Sequence, residues 1–224
     1  MKVLSCLLFL SLPFWVASND CTCAISSRPD KAKKAQTARW MVHSLDWGVL
    51  STISTRLGDG MGTPVPFGNI YSFVDGSCEK STGIPYFYGT YMDQSFSDSL
   101  ENPTVSLSLS EASFSSVCTD RDGLEACALG TKYGDPENPV CARLTLTGTF
   151  VVLEEDSEEY EFAKESLFQR HSTMEKWPQN HGWLIAKIDI QDIWLIDFFG
   201  GATILSPEEY FAVDIDDDAG EEEN

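Results

Sequence analysis

The sequence predicts a mainly β domain, a closed antiparallel barrel of six or seven strands with helices at its ends. One observation is that short segments rich in β-branched and aromatic residues recur along the chain, separated by turn-forming residues. A second is that few stretches between those segments show helical spacing.

The N-terminus has the features of a secretory signal peptide over residues 1–18. Lys2 supplies a positive charge, an almost unbroken apolar run follows over residues 3–15, and small residues follow that run. We expect cleavage between Ser18 and Asn19. The apolar run has about thirteen residues whereas a membrane span needs about twenty, so an uncleaved anchor is the less favoured alternative and no membrane span is expected.

A flexible arm and then a helix are expected next. Residues 19–29 are polar and lack periodicity, which predicts the arm, and one domain is expected over residues 30–213. Helical spacing begins at Asp30, a residue type that caps helix starts, and continues to about Ser44.

The predicted strands are bounded by glycine, proline, aspartate and asparagine. They are expected at residues 49–55, 66–74, 84–90, 104–110, 141–153, 184–190 and 193–199. The clearest alternation of apolar and polar residues lies in 104–110, which indicates a half-buried strand. Gln191 and Asp192 separate the last two strands and are interpreted as a tight hairpin.

Three further helices are predicted. A short one covers residues 93–101, and an amphipathic one covers residues 157–169. The last begins at Ser206, where the serine caps the first turn, Pro207 occupies it and Glu209 completes a capping box.

The charge of the chain is strongly acidic, with a formal net charge of −20. Acidic residues dominate the final segment, residues 214–224, which predicts a disordered, solvated tail. Such a balance disfavours nucleic acid and anionic lipid as partners bound by bulk charge. A calcium buffer that uses the tail is one further alternative.

Cysteine and histidine usage favours disulfides over metal or nucleophilic chemistry. Cys6 leaves with the signal peptide, and the six remaining cysteines suggest disulfides in an oxidising compartment, with their pairing open. The three histidines do not stand at zinc-ligand spacing, and no metal site is expected. A Gly-x-Ser-x-Gly nucleophile motif is absent from the sequence, and no catalytic residue is assigned.

Several sequence blocks, taken together and in order, resemble the CREG family, the secreted cellular repressors of viral-protein-stimulated genes. The similarity extends from about Ala38 to Val213. The blocks that carry it are residues 47–55, 83–88, 101–103, 144–148, 162–171, 181–187, 193–201 and 206–210.

The resemblance implies a six- to seven-stranded antiparallel split β-barrel with flanking helices, of the FMN-binding, pyridoxamine-phosphate-oxidase-like type. Proteins of that type usually form dimers with the flavin pocket at the subunit interface. CREG proteins are secreted or endolysosomal, act in growth or differentiation control and are regarded as having lost flavin binding and oxidase activity.

The basic residues of the chain agree with a lost flavin site. A flavin phosphate needs cationic or backbone donors, yet Lys80 is the one basic residue between Leu57 and Ser116. Asp93 and Gln94 stand where the oxidases carry a Ser-Arg-Lys-like motif, and an aspartate there repels phosphate. We therefore expect no cofactor, with FMN as the alternative.

The preferred interpretation is a secreted or extracellular, or else lysosomal or vacuolar, non-catalytic interaction protein. It is expected to work as a homodimer with a protein receptor or partner of unknown identity. The alternative is an FMN- or haem-binding oxidoreductase, because the aromatic run at residues 86–88 could stack on a flat cofactor as well as form barrel core. Its vestigial pocket candidates are Tyr86, Tyr88, Thr90, Ser95, His171 and Trp177.

One disulfide is expected between Cys118 and Cys141, which flank a long loop. That bond would close a loop of about 24 residues and contribute roughly 3 kcal/mol to the free energy of unfolding in the chain-entropy model.

Overall fold

The computed structural model describes residues 27–57, 62, 64–114 and 124–215. The predicted signal peptide, most of the predicted arm and acidic tail, and Cys118 lie outside the described residues. Within them, no helix is long and apolar enough to cross a membrane.

The described strands form one antiparallel sheet in the order β2-β1-β5-β6-β7-β4-β3, with β8 paired to β7 beside that path. The sheet curls into a half-barrel, which confirms the predicted fold class: mainly β, antiparallel, with flanking helices. The strands are β1 (Trp47–Ile53), β2 (Pro66–Ser72), β3 (Val74–Ser77), β4 (Lys80–Thr90), β5 (Thr104–Ser110), β6 (Arg143–Val152), β7 (Trp183–Ile196) and β8 (Thr203–Leu205).

Four α-helices flank the described part of the sheet: α1 (Lys34–Ser44), α2 (Gln94–Glu101), α3 (Glu158–Arg170) and α4 (Pro207–Phe211). The last three agree with prediction, and at Ser206 the capping box with Glu209 is formed. The expected start of the first helix at Asp30 is wrong. The Asp30 carboxylate accepts from the amide of Ala32 at 2.7 Å, in a turn that precedes the helix.

A hairpin was expected at Gln191 and Asp192, and that expectation is wrong. β7 runs unbroken through both residues, and Thr147 pairs with Asp192 while Gly148 pairs with Ile190. Gln191 is therefore the extra residue of a β-bulge, which bends the strand without ending it.

Two clusters of buried side chains fill the molecule. The larger one lies between α1 and the inner face of the sheet and includes Trp40, Leu107 and Leu146. The smaller one lies beneath α3 and includes Tyr86 and Tyr88. Burial of apolar surface on this scale is the main stabilising contribution to the fold.

The predicted disulfide between Cys118 and Cys141 is wrong. Cys141 is bonded to Cys127, with their Cα atoms 5.0 Å apart. The reason is the path of the preceding loop, which folds back on itself: the Asp135 amide donates to the Ala126 carbonyl at 3.0 Å, and this brings residue 127 close to residue 141. Cys78 is also disulfide-bonded.

Candidate functional site

A cavity of about 290 Å³ opens between β2, β4 and the segment that leads into β7. It lies beside the start of α2. Its lining residues come from four stretches of the chain: Asn69, Ile70, Tyr71, Ser72, Tyr88, Gly89, Thr90, Asp93, Met174, Trp177 and Trp183.

Three aromatic rings pack together in the cavity wall. The rings of Tyr88 and Trp183 stack with centroids 4.7 Å apart, and Trp177 lies 6.0 Å from Tyr88 and 5.1 Å from Trp183. The indole NH of Trp183 donates to the Pro178 carbonyl at 2.8 Å, which fixes the ring. The pairing of Thr90 with Trp183 across β4 and β7 brings these distant residues together.

Asp93 lies at the polar side of the cavity and caps α2. Its carboxylate accepts from the amides of Ser95 and Phe96 at 2.8 and 3.3 Å. Burial raises the pKa of Tyr71, and the neighbouring carboxylate of Asp93 raises it further. Tyr71 therefore stays protonated throughout the physiological pH range and donates its hydroxyl to Asp93.

Three of the six predicted pocket residues, Tyr88, Thr90 and Trp177, line this cavity. Thr90 also donates its hydroxyl to the His181 carbonyl at 2.5 Å. Trp183 and Tyr71 also line the cavity, although neither is among the predicted pocket residues. Trp183 stands in a sequence block that carried the family resemblance, but only its cross-strand partner places it in the cavity.

The structure places the other three predicted residues elsewhere. Ser95 is buried in the first turn of α2. The Tyr86 hydroxyl donates to Glu159 at 3.1 Å, beneath α3 and farther along the same face of β4 as Tyr88. His171 ends α3, and its Nε2 is 3.2 Å from the Phe73 carbonyl.

The lining residues do not fit a flavin phosphate. None of them is lysine, arginine or histidine, and the one charged group among them is the carboxylate of Asp93. The amides at the start of α2, which could otherwise bind an anion, already donate to that carboxylate. The lining set also lacks a histidine or cysteine to ligate haem iron, although it contains the thioether of Met174 and two tyrosines.

A second set of polar side chains brings together Ser81, Asp75 and His43, the residue types of a hydrolytic triad. Their geometry is different, because both the Ser81 hydroxyl and His43 Nδ1 contact the Asp75 carboxylate, at 2.6 and 2.8 Å. In a triad the histidine activates the serine directly. Asp75 is wholly buried, so this set is a structural network.

Solved structures share the fold at low sequence identity. A haem-binding protein from Mycobacterium smegmatis has a TM-score of 0.58 at 16% identity, covering 84% of this chain and 62% of that one. The protein Atu2129 of unknown function from Agrobacterium tumefaciens has a TM-score of 0.54 at 13% identity, covering 81% and 62%. At these identities the likeness shows the fold alone.

Sequence identity to proteins of the CREG type is much higher than to these structures. Human Protein CREG2 is 41% identical over 187 residues, which cover 83% of this chain and 58% of the relative. Human Protein CREG1 is 38% identical over 190 residues, covering 84% and 77%, and chicken (Gallus gallus) Protein CREG1 is 36% identical over 204 residues, covering 90% and 97%. This chain thus spans less than two thirds of the length of human CREG2.

The family model described as "CREG, beta-barrel" matches residues 29–212, which include every described strand and helix. Together with the identities above, this match shows that the chain belongs to the CREG family.

Proposed function

We propose that this chain is a secreted or endolysosomal, non-catalytic interaction protein that works as a homodimer in growth or differentiation control. Its membership of the CREG family and the signal-peptide features of residues 1–18 support this proposal. Its receptor or partner is a protein.

The charge of the cavity is the observation that supports a non-catalytic role. In a flavin enzyme of this fold, the phosphate of the cofactor needs cationic or backbone donors. Here Asp93 contributes a negative charge, and its carboxylate accepts the amides of Ser95 and Phe96 at the start of α2. None of the described lining residues is a lysine, arginine or histidine that could bind a phosphate. Phosphate binding would therefore bring two anions together in a partly desolvated place.

The absorption spectrum of the purified protein tests this proposal. The mature chain should be produced in a eukaryotic host and passed through gel filtration, and its visible spectrum recorded. We expect a colourless protein. A stoichiometric yellow flavin that stays bound through the column would overturn the proposal.

A homodimer is supported by the outer face of the sheet. One row of residues crosses six strands in register on the side away from the core: Ile70, Val49, Ser108, Thr145, Trp194 and Ile204. The two isoleucines at its ends are 59% and 60% exposed. The middle of the face consists of short hydroxyl side chains, such as Ser106 and Thr147 with their oxygens 2.9 Å apart. A patch of this kind, with short side chains in the middle and exposed isoleucines at its ends, suits a two-fold contact in which the same patch meets itself.

A second candidate function is an FMN- or haem-binding oxidoreductase. Its support is the aromatic wall of the cavity, in a fold shared with a haem-binding protein. Titration of the purified protein with FMN and with haem, followed by absorption, tests it. Saturable binding of either at micromolar concentration would favour this candidate, and no binding would eliminate it.

A further inference from the structure

We propose that the cavity beside the start of α2 binds a small organic cation of the quaternary ammonium class. The inference rests on the proposed function in one respect, since it requires that flavin does not occupy this cavity. It assigns the cavity to a ligand of the opposite charge from a nucleotide cofactor.

The aromatic wall is the first argument. Tyr88, Trp177 and Trp183 each contribute to one wall and hold one another at centroid distances of 4.7 to 6.0 Å. Tyr88 and Trp183 stack with their planes 18° apart, so each covers one face of the other, and the outer, electron-rich faces of the group are the ones that can contact the methyl groups of a cation. Indole is the strongest aromatic group for this contact, and two of the three rings are indoles.

The charge of Asp93 is the second argument. Its carboxylate accepts from two backbone amides and from the hydroxyl of Tyr71, which hold it in place but do not neutralise it. Because none of the described residues that line the cavity is lysine or arginine, a bound cation would be the counter-charge of this carboxylate. Aromatic faces and one fixed carboxylate are the two features that a site for an ammonium headgroup combines.

The size of the cavity is the third argument. At about 290 Å³ it lies at the small end of the range of ligand pockets, roughly 300–1,000 Å³. This space suits a compact headgroup better than an extended nucleotide. Asn69, Ser72 and Thr90 at the margin add polar groups that can contact a hydroxyl or carbonyl attached to that headgroup.

Choline and its uncharged carbon isostere 3,3-dimethylbutan-1-ol are the probes for this proposal. Each is titrated into the full-length mature protein and followed by tryptophan fluorescence and by calorimetry. We expect choline to bind about tenfold more tightly than the isostere, a difference of about 1.4 kcal/mol. Equal affinities, or no choline binding up to about 10 mM, where the binding free energy would be below roughly 3 kcal/mol, would overturn the proposal.

Matched variants separate the two parts of the site. Asp93→Asn keeps a side-chain oxygen that caps α2 but removes the charge, and choline affinity should fall at least fivefold while that of the isostere is unchanged. Asp192→Asn makes the same change at an exposed position on β7 and should bind choline like the wild type. Trp177→Leu should lose choline binding, and Trp177→Phe should regain part of it.

The outcomes distinguish this inference from the proposed function. A colourless protein that does not bind choline overturns only the cation site. A protein that retains flavin overturns both. Unchanged choline affinity in Asp93→Asn, with the same melting temperature as the wild type, shows that the carboxylate has no part in binding and overturns the proposal.

Discussion

At the scale of single residues, Asp75 is a charge held in the protein interior by α1, α3 and its own hairpin. His43 Nδ1, Ser81 Oγ and the Gly83 amide lie 2.8, 2.6 and 3.1 Å from its oxygens. Arg170 Nη1 lies 3.7 Å away. Burial alone would raise the pKa of Asp75, but the contacts with His43, Ser81 and Arg170 outweigh it and hold the pKa below its ordinary value.

Replacing this carboxylate should destabilise the fold strongly. Asp75→Asn removes the buried charge that faces Arg170 and His43, and leaves Arg170 with the half-exposed carboxylate of Asp46, 2.9 Å from its Nη2. We expect the free energy of unfolding at pH 7 to fall by about 3 kcal/mol in urea denaturation. Asp156→Asn, at an exposed turn, is the control and should change it by less than about 0.5 kcal/mol. A loss below about 1 kcal/mol for Asp75→Asn would contradict the assigned network.

The contribution of Asp75 to the free energy of unfolding should stay constant as the pH is lowered from 7 to 5. Since its folded pKa lies below the unfolded value of about 3.9, its stabilisation is complete above about pH 5 and is lost only as the pH falls through the folded pKa. The excess stability of wild type over Asp75→Asn should therefore be constant from pH 7 to 5. A decline within that window would show that the folded pKa is not lowered.

His171 should make the stability of the fold depend on pH near neutrality, where the contribution of Asp75 is constant. Burial lowers its pKa below the ordinary value of 6.5. The unfolded chain therefore binds the proton more readily, and stability is complete above pH 6.5 and lost as the pH falls through the folded pKa. We expect the melting temperature of wild type to fall between pH 7.5 and pH 5.5 and that of His171→Gln to fall less. Parallel curves would contradict this prediction.

At the scale of elements, the success of prediction depended on whether the deciding interaction was local. The capping box of Ser206 and Glu209 lies within four residues, and α4 begins where the sequence predicted. The bulge at Gln191 was mistaken for a hairpin because a distant residue decides it. Gly148 on β6 stands opposite the bulge, and a Cβ there would lie 2.1 Å from the Asp189 carbonyl oxygen.

The disulfide between Cys127 and Cys141 should stabilise the fold by cross-linking the loop before β6. It closes a separation of 14 residues, for which the chain-entropy model gives about 3 kcal/mol. We expect the double variant Cys127→Ala/Cys141→Ala to lose about that much free energy of unfolding in guanidinium denaturation. Peptide mapping without reductant provides the independent check, and a peptide that links Cys118 to Cys141 would contradict the pairing.

At the scale of the whole molecule, the outer face of the sheet is the surface on which the proposed dimer depends. Ser108→Arg places a charge near the middle of that face, and two-fold symmetry would bring two such charges together. We expect this variant to be a monomer and wild type a dimer by gel filtration with light scattering. Gln169→Arg adds the same charge on an exposed position of α3 and should stay a dimer. If Ser108→Arg is still a dimer, the contact between the subunits lies outside this face.

The barrel class was predictable from sequence, and the composition of the candidate site only in part. Alternation in β5 shows which of its side chains face inward, and the structure confirms the same bounds, Thr104–Ser110. The cavity instead depends on the register of β4 against β7, which joins Tyr88 and Thr90 to Trp183 across about a hundred residues of chain. Residue patterns give each strand a face, but they do not specify which strands are neighbours.

The central position of β7 determines when this protein can fold during its synthesis. Without β7 the sheet separates into two parts, β2-β1-β5-β6 and β4-β3. At about 5–20 residues per second, a ribosome needs roughly 5 to 20 s to proceed from the end of β4 to the start of β7. During that delay the aromatic residues of β4 have no strand on the β7 side, and exposed strand edges of this kind are prone to aggregate. The half-barrel is therefore completed only after most of the chain has been made, and until then the free edge of β4 can pair with a wrong strand or with another chain.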